Sequence, residues 1–194
     1  MKFLIVLFSL IFLSSCSLKT STKISPTPTM TSPTPVVLGE NTSATTIINN
    51  DETVVALDTV NGQIVIKLYA DKAPNTVATF MKKVNEGFYD GLTFHRVIPG
   101  FMAQGGDPLG TGTGGGSQKS ELNNIPFVRG TIGLARGPNI EISNDSQFFI
   151  CFTTEGCQHL TGDYVNFGEV ISGLEVLDKI VQGDKILKIS STTK

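Results

Sequence analysis

Two rhythms of apolar and polar positions alternate along this chain. Thr53–Val60 and Gln63–Tyr69 are β-rich runs joined by Asn61-Gly62. In the second run Ile64, Ile66 and Leu68 alternate with Gln63, Val65 and Lys67, so the pattern predicts a hairpin with one face in a core. The period then changes. Pro74 suits a first helical turn, Asp71 is a candidate cap, and Val77, Phe80, Met81 and Val84 recur at helical spacing before Gly87. Phe94–Ile98 and Phe101–Ala103 flank Pro99-Gly100 and predict strand, turn, strand. Further strands are expected at Gly130–Ala135, Ser146–Phe152, Val165–Val170 and Ile186–Ile189, and a short helix at Leu174–Val181. Gly105–Asn124 and Arg136–Asp145 read as loops. Seven or eight short strands with two helices suit a mainly β domain, a closed barrel with helices at its ends.

The N-terminus has a different pattern. Lys2 precedes an apolar run, Phe3–Leu13, too short to span a bilayer and suited to a secretory signal. It ends Leu13-Ser14-Ser15-Cys16, which resembles a bacterial lipobox. Residues 1–15 are therefore expected to be a lipoprotein signal peptide and Cys16 the lipidated mature N-terminus. A plain signal cleaved near Ser15, with Cys16 incidental, is the alternative. Residues 16–51, rich in Ser, Thr, Pro and Asn, have too few apolar groups to fold and read as a disordered tether. It would hold a domain at 52–194 away from a membrane surface. The protein is expected to be exported and lipid-anchored to the cell membrane or an outer membrane.

Composition narrows the chemistry. A net charge of −2 with 16% charged residues argues against a nucleic-acid partner. The segment GTGTGGG invites a phosphate-loop reading, but Lys119-Ser120 follows Gln118, so that pattern fails and no nucleotide is expected. No Cys or His pair has zinc-site spacing, so no metal is expected either, and no cofactor. Cys151 lies in an apolar run and Cys157 in the loop after it; buried free thiol and Cys151–Cys157 disulfide both remain open.

The candidate site is FHRVIPGFMAQGGD, Phe94–Asp107. Alternation places Phe94, Arg96 and Ile98 on one face and His95 and Val97 on the other. Arg96 is then a permanent cation among apolar neighbours, followed by Phe101, Met102 and Gln104. A cation, an amide and an apolar floor fit a small apolar ligand carrying a carbonyl. His95 faces away and reads as a packed barrel histidine.

With DKAPNTVATF (Asp71–Phe80), SQFFI (Ser146–Ile150) and VNFGEV (Val165–Val170) in order around that stretch, the chain from about Thr53 to Ile189 resembles the cyclophilin family of peptidyl-prolyl isomerases. The resemblance implies an eight-stranded closed antiparallel β-barrel capped by two α-helices, acting on X-Pro peptide bonds. It places the catalytic arginine at Arg96 and its partner glutamine at Gln104. It places the proline pocket at Phe101, Met102, Phe149 and Leu160, a backbone-binding glutamine at Gln147 and a groove residue at Ala135. The tryptophan beside the pocket leucine in well-known eukaryotic members is His159 here, which argues against tight cyclosporin binding. The family's pocket histidine is Tyr164, which keeps an apolar ring and a hydroxyl. Arg136–Asn144 matches only with gaps, leaving Arg136 or Asn139 to stand for the family's groove asparagine.

The implied partners are proline-containing peptides and unfolded or folding proteins, met by a monomer and reached from the membrane through the N-terminal lipid. An isomerase assisting the folding of exported or envelope proteins is the leading expectation. A proline-segment binding module or chaperone with little turnover is the alternative, and a structural envelope protein with a vestigial pocket a third.

Overall fold

The computed structural model describes residues 52–192; the expected signal peptide, Cys16 and the tether lie outside the described residues. The period-two runs form one antiparallel sheet of nine strands: β1 Val54–Thr59, β2 Gly62–Leu68, β3 Arg96–Ile98, β4 Met102–Gly105, β5 Ser117–Lys119, β6 Thr131–Arg136, β7 Ile142–Cys151, β8 Asn166–Ser172 and β9 Ile186–Thr192. Their order is β3-β4-β7-β6-β8-β2-β1-β9, with β5 beside β7 off that path.

The sheet curls into an open half-barrel and corrects the expected closed barrel of eight strands. Its ends, β3 and β9, do not pair as strands. They are linked through the segments ahead of them, by the single bridge Thr93–Lys185 and by backbone hydrogen bonds such as Phe94 N–H to Asp184 O at 2.9 Å and Ile186 N–H to Leu92 O at 2.8 Å. Length is the reason. The Pro99-Gly100 turn ends β3 after three residues, leaving too little strand to run along β9. Gly100 has φ +76° and Phe101 N–H donates to Ile98 O, as a proline-glycine type II turn requires.

Local expectations shift where a distant partner intervenes. The first hairpin reverses at Val60-Asn61, with Thr59 paired to Gly62, one residue earlier than Asn61-Gly62 predicts. The Asn61 amide is held by Lys179 O and the Asp184 carboxylate. The expected loop Arg136–Asp145 is half strand, because Ile142, Ser143 and Asn144 pair with the glycine-flanked β5. Pairing overrides the polar character of Ser143 and Asn144.

Helix α1, Pro74–Asn85, buries Val77, Phe80 and Val84 and packs on β7 and β9. Asp71 does not cap it. The Glu121 carboxylate does, accepting from Asn75 N–H at 3.1 Å and Thr76 N–H at 2.8 Å. Two short helices follow, α2 at Thr154–Cys157 and α3 at Leu174–Leu177, with a 3₁₀ turn at Gln158–Leu160 between them. Helix α3 packs on β2 and is shorter than expected, since the Asp184 carboxylate takes the Val181 N–H and turns the chain.

Alternation in β4, β6 and β7 divides the apolar side chains between two clusters. Ala103, Leu134, Phe148 and Ile150 enter the main core with α1. Met102, Phe149 and Cys151 enter a smaller cluster with Phe127, Cys157 and Leu160. Cys151 and Cys157 form a disulfide there. Phe94 is fully buried in the main core and so does not share Arg96's surroundings, contrary to the alternation reading; the strand begins only at Arg96.

Candidate active site

The smaller cluster has one open side, where a cavity of about 310 Å³ lies over β4, β6 and β7. Register brings its parts together. Arg96 on β3 faces Gln104 on β4, and Gln104 faces Phe149 on β7. Phe101, Met102 and Phe149 line the slot, Ala135 and Tyr164 border it, and the turn after α2 supplies His159 and Leu160. Every residue singled out for the proline pocket therefore meets in one cavity.

The floor is apolar. Met102, Phe149 and Leu160 are buried, and Phe101 and Tyr164 pack on them. Phe149 meets Tyr164 edge to face at 5.8 Å and stacks on Phe127 at 5.6 Å. His159 is exposed and lies 5.7 Å from the Phe101 ring, forming the outer rim. Phe127 was not found by sequence reasoning. It lies in a segment without regular structure, and no period betrays it. Gly133 completes the fit: a Cβ there would stand 2.6 Å from Phe149 and 2.7 Å from Phe127.

The polar side of the cavity is a relay of amides. Arg96 Nη1 donates to Gln104 Oε1 at 3.2 Å, and Gln104 Nε2 donates to Gln147 Oε1 at 2.9 Å. Gln147 is buried and lies in the adjoining groove rather than in the first cavity. Its Nε2 donates to Gly114 O at 2.8 Å and Gly112 O at 3.2 Å. Asn144 holds both ends of this contact, accepting from Gln147 N–H at 2.7 Å and donating to Gly114 O at 3.0 Å.

The glycine-rich segment is a turned wall with an internal anchor. Asp107 is buried, and its carboxylate accepts from Leu109, Thr111 and Gly112 N–H. Burial alone would raise this carboxyl; the backbone donors outweigh it and hold it below the usual carboxylate range. Behind the wall sits His95, both ring nitrogens buried without a hydrogen-bond partner among the described residues. Burial lowers its pKa, Asp107 opposes that, Arg96 adds to it, and the imidazole is held below its ordinary value. A neutral packed histidine fits this place.

The two candidates for the groove asparagine part company. Arg136 lines the cavity and its neighbouring groove. Asn139 lines neither; its carboxamide oxygen accepts the Glu141 N–H in an exposed turn. Among the described residues no group of three or more His, Cys, Asp or Glu side chains is arranged to hold a metal ion. Nor, among them, is any helix long and apolar enough to cross a membrane.

Chemically, the arrangement offers an apolar slot with the Arg96 guanidinium at its rim, bonded to Gln104. Comparison with known proteins bears on the family. The family model described as "Cyclophilin type peptidyl-prolyl cis-trans isomerase/CLD" matches residues 54–193. A peptidyl-prolyl cis-trans isomerase of Synechococcus elongatus is 46% identical over 142 residues, covering 71% of this chain and 94% of the relative. Peptidyl-prolyl cis-trans isomerase B of Bacillus subtilis is 45% identical over 129 residues, covering 66% and 89%. Among solved structures, a Cryptosporidium parvum cyclophilin type peptidyl-prolyl cis-trans isomerase, determined in the presence of the dipeptide Ala-Pro, superposes with a TM-score of 0.67 at 28% identity, covering 73% of this chain and 99% of that one.

Proposed function

Because the chain belongs to the cyclophilin-type peptidyl-prolyl cis-trans isomerase family, we propose that the slot beside Arg96 is where it turns X-Pro peptide bonds. The protein is a peptidyl-prolyl cis-trans isomerase. The observation that carries the site assignment is the meeting of Arg96, Gln104, Phe101, Met102, Phe149 and Leu160 around one cavity.

The reaction asks little covalent chemistry of these residues. An amide resists rotation because nitrogen shares its lone pair with the carbonyl, a barrier of ~18–20 kcal/mol. In the twisted form that sharing is lost and the lone pair is localised on nitrogen. A site that favours the twisted form over the planar one is a catalyst, with no proton moved and no bond broken. The floor of Phe101, Met102, Phe149 and Leu160 holds the proline ring while the preceding residue rotates. Arg96 bonds the proline carbonyl and meets the nitrogen as it becomes basic. A lysine there would stay charged but lose the planar fork, whose angle Gln104 sets. A charge-assisted hydrogen bond of about 1.5–3 kcal/mol supplies roughly one to two powers of ten, and positioning in a desolvated slot supplies the rest. Gln147, beyond Gln104, has its amide hydrogens on Gly112 O and Gly114 O and can meet the substrate backbone only as an acceptor, through the remaining lone pair of Oε1.

The N-terminal sequence supports an address for this activity. Phe3–Leu13 followed by Leu13-Ser14-Ser15-Cys16 favours export, cleavage before Cys16 and lipid attachment, with residues 16–51 as the tether. The clients are then proline-containing segments of exported or envelope proteins as they fold, met by a monomeric domain. Replacing Cys16 by Ala should release the protein from membranes; retention in the membrane fraction would reject the anchor.

The decisive experiment on the site is Arg96→Ala in a protease-coupled assay on a proline peptide. Arg96 is exposed and, among the described residues, makes one side-chain hydrogen bond, so the thermal midpoint should hardly move. Turnover should fall by about a hundredfold or more. Near-normal turnover would remove Arg96 from the mechanism.

A further inference from the structure

The cavity has a second cation that its chemistry does not use. Arg136 closes β6 and stands between the slot and an adjoining groove of about 260 Å³, lining both. Its guanidinium lies over the Tyr164 ring, 4.3 Å from the centroid. Its Nε donates to Asp163 O at 2.8 Å and its Nη1 to Gly137 O at 2.9 Å. Two carbonyls and a ring therefore fix the plane of the fork, while Nη2 donates to no group among the described residues. Asp163 lends only its carbonyl. Among the described residues neither Arg96 nor Arg136 forms an ion pair, whereas Arg129 is paired with Asp178 at 3.0 Å. Two uncompensated cations thus border one slot in a chain whose net charge is −2.

We propose that Arg136 determines specificity, selecting X-Pro segments that carry a carboxylate side chain on a residue flanking the X-Pro pair. This rests on the reading that the slot takes the proline ring. A chain leaving the slot for the groove passes the free edge of a held, partly buried guanidinium. A carboxylate there gains a charge-assisted hydrogen bond from a donor that loses little freedom. The Tyr164 ring shields one face of the fork from water, which strengthens that attraction. A substrate lysine at the same point meets both cations and is disfavoured. Arg136 acts on binding rather than on the twisting amide, so its signature belongs in KM.

The test uses peptides with one X-Pro bond in which each flanking position in turn is Glu, Gln or Lys. KM and kcat come from exchange spectroscopy, and dissociation constants from chemical-shift titration of the protein. At one flanking position Glu should exceed Lys in kcat/KM and in affinity by about tenfold, through KM, and the ratio should shrink towards one as salt is raised. Arg136→Gln should abolish the preference and Arg136→Lys should keep part of it. Equal affinities for Glu and Lys peptides at every position, or a preference unchanged in Arg136→Gln, would overturn the proposal. Should Arg136→Gln not fold, the salt dependence of the wild-type ratio decides the matter in its place. Absence of turnover on all peptides would count against the slot assignment instead, and the affinity ratios would still read the role of Arg136.

Discussion

The main core and the slot cluster lie on opposite faces of the same strands, yet they are built for different ends. In β7, Phe148 and Ile150 point into the core, and Phe149 and Cys151 point the other way. Phe148 is enclosed, meeting Phe80 edge to face at 5.9 Å and Tyr89 at 5.7 Å. Phe149 has Phe127 behind it, Tyr164 beside it and open space in front. The run Phe148–Phe152 is apolar throughout because both faces of the strand are covered, one by the main core and one by the slot cluster. The difference shows the candidate site to be the unfinished back of the core. Its shape is maintained by the packing beneath it, by a disulfide at one edge and by the amide relay at the other.

Phe148→Ala and Phe149→Ala should separate the two faces most sharply. The first leaves an enclosed void and should cost about 3–5 kcal/mol by urea denaturation. The second opens a void to solvent, so its stability loss should be smaller while KM for a proline peptide rises about tenfold or more. Similar stability losses with unchanged KM would erase the distinction. The disulfide comes next. It ties Phe149's strand to the turn bearing His159 and Leu160 across a separation of six residues. Replacing both cysteines by Ser should lower stability by about 2–3 kcal/mol and raise KM, with added reductant having no further effect on the variant. Gly133→Ala asks whether the slot floor can yield. A methyl 2.6 Å from Phe149 must displace it, so a loss of about 1–3 kcal/mol with a raised KM is expected, and unchanged KM would show the floor relaxing sideways.

The smallest effect is electrostatic. Asp107 behind the slot and Glu121 capping α1 are both held below the usual carboxylate range, because backbone donors outweigh the burial that would raise them. A depressed acid stabilises the fold above its unfolded value, and that contribution is lost as pH falls through the lowered folded value. His95, also depressed, works in the same direction from about pH 6.5 downwards, since the folded state disfavours its proton. Thermal midpoints should therefore fall as pH drops from neutral to about 3, in a first shallow step and then a steeper one below about 4. His95→Asn should remove the first step and Asp107→Asn should reduce the second. A profile identical in all three proteins would dismiss these groups.

Much of this was legible in the chain itself. The hairpin, α1, the strands around Arg96 and Gln104, and the two-faced run at Phe149 all rest on local periodicity, which sequence carries directly. What depended on distant partners was not. Glu121 caps α1 across 45 residues, β5 exists only because β7 pairs with it, and Phe127 backs Phe149 beneath the slot from a stretch with no rhythm of its own.

The sequence by itself determined which residues a slot would need: one cation, one amide and a set of apolar side chains, spaced so that strands would present them. Only the tertiary structure decided that the sheet stays open, that Cys151 meets Cys157, and that Arg136 rather than Asn139 stands at the edge of the slot. Periodicity is a property of neighbours along the chain. Closure, pairing and a shared cavity depend on which strands lie side by side, and that is settled only when the whole sheet has curled.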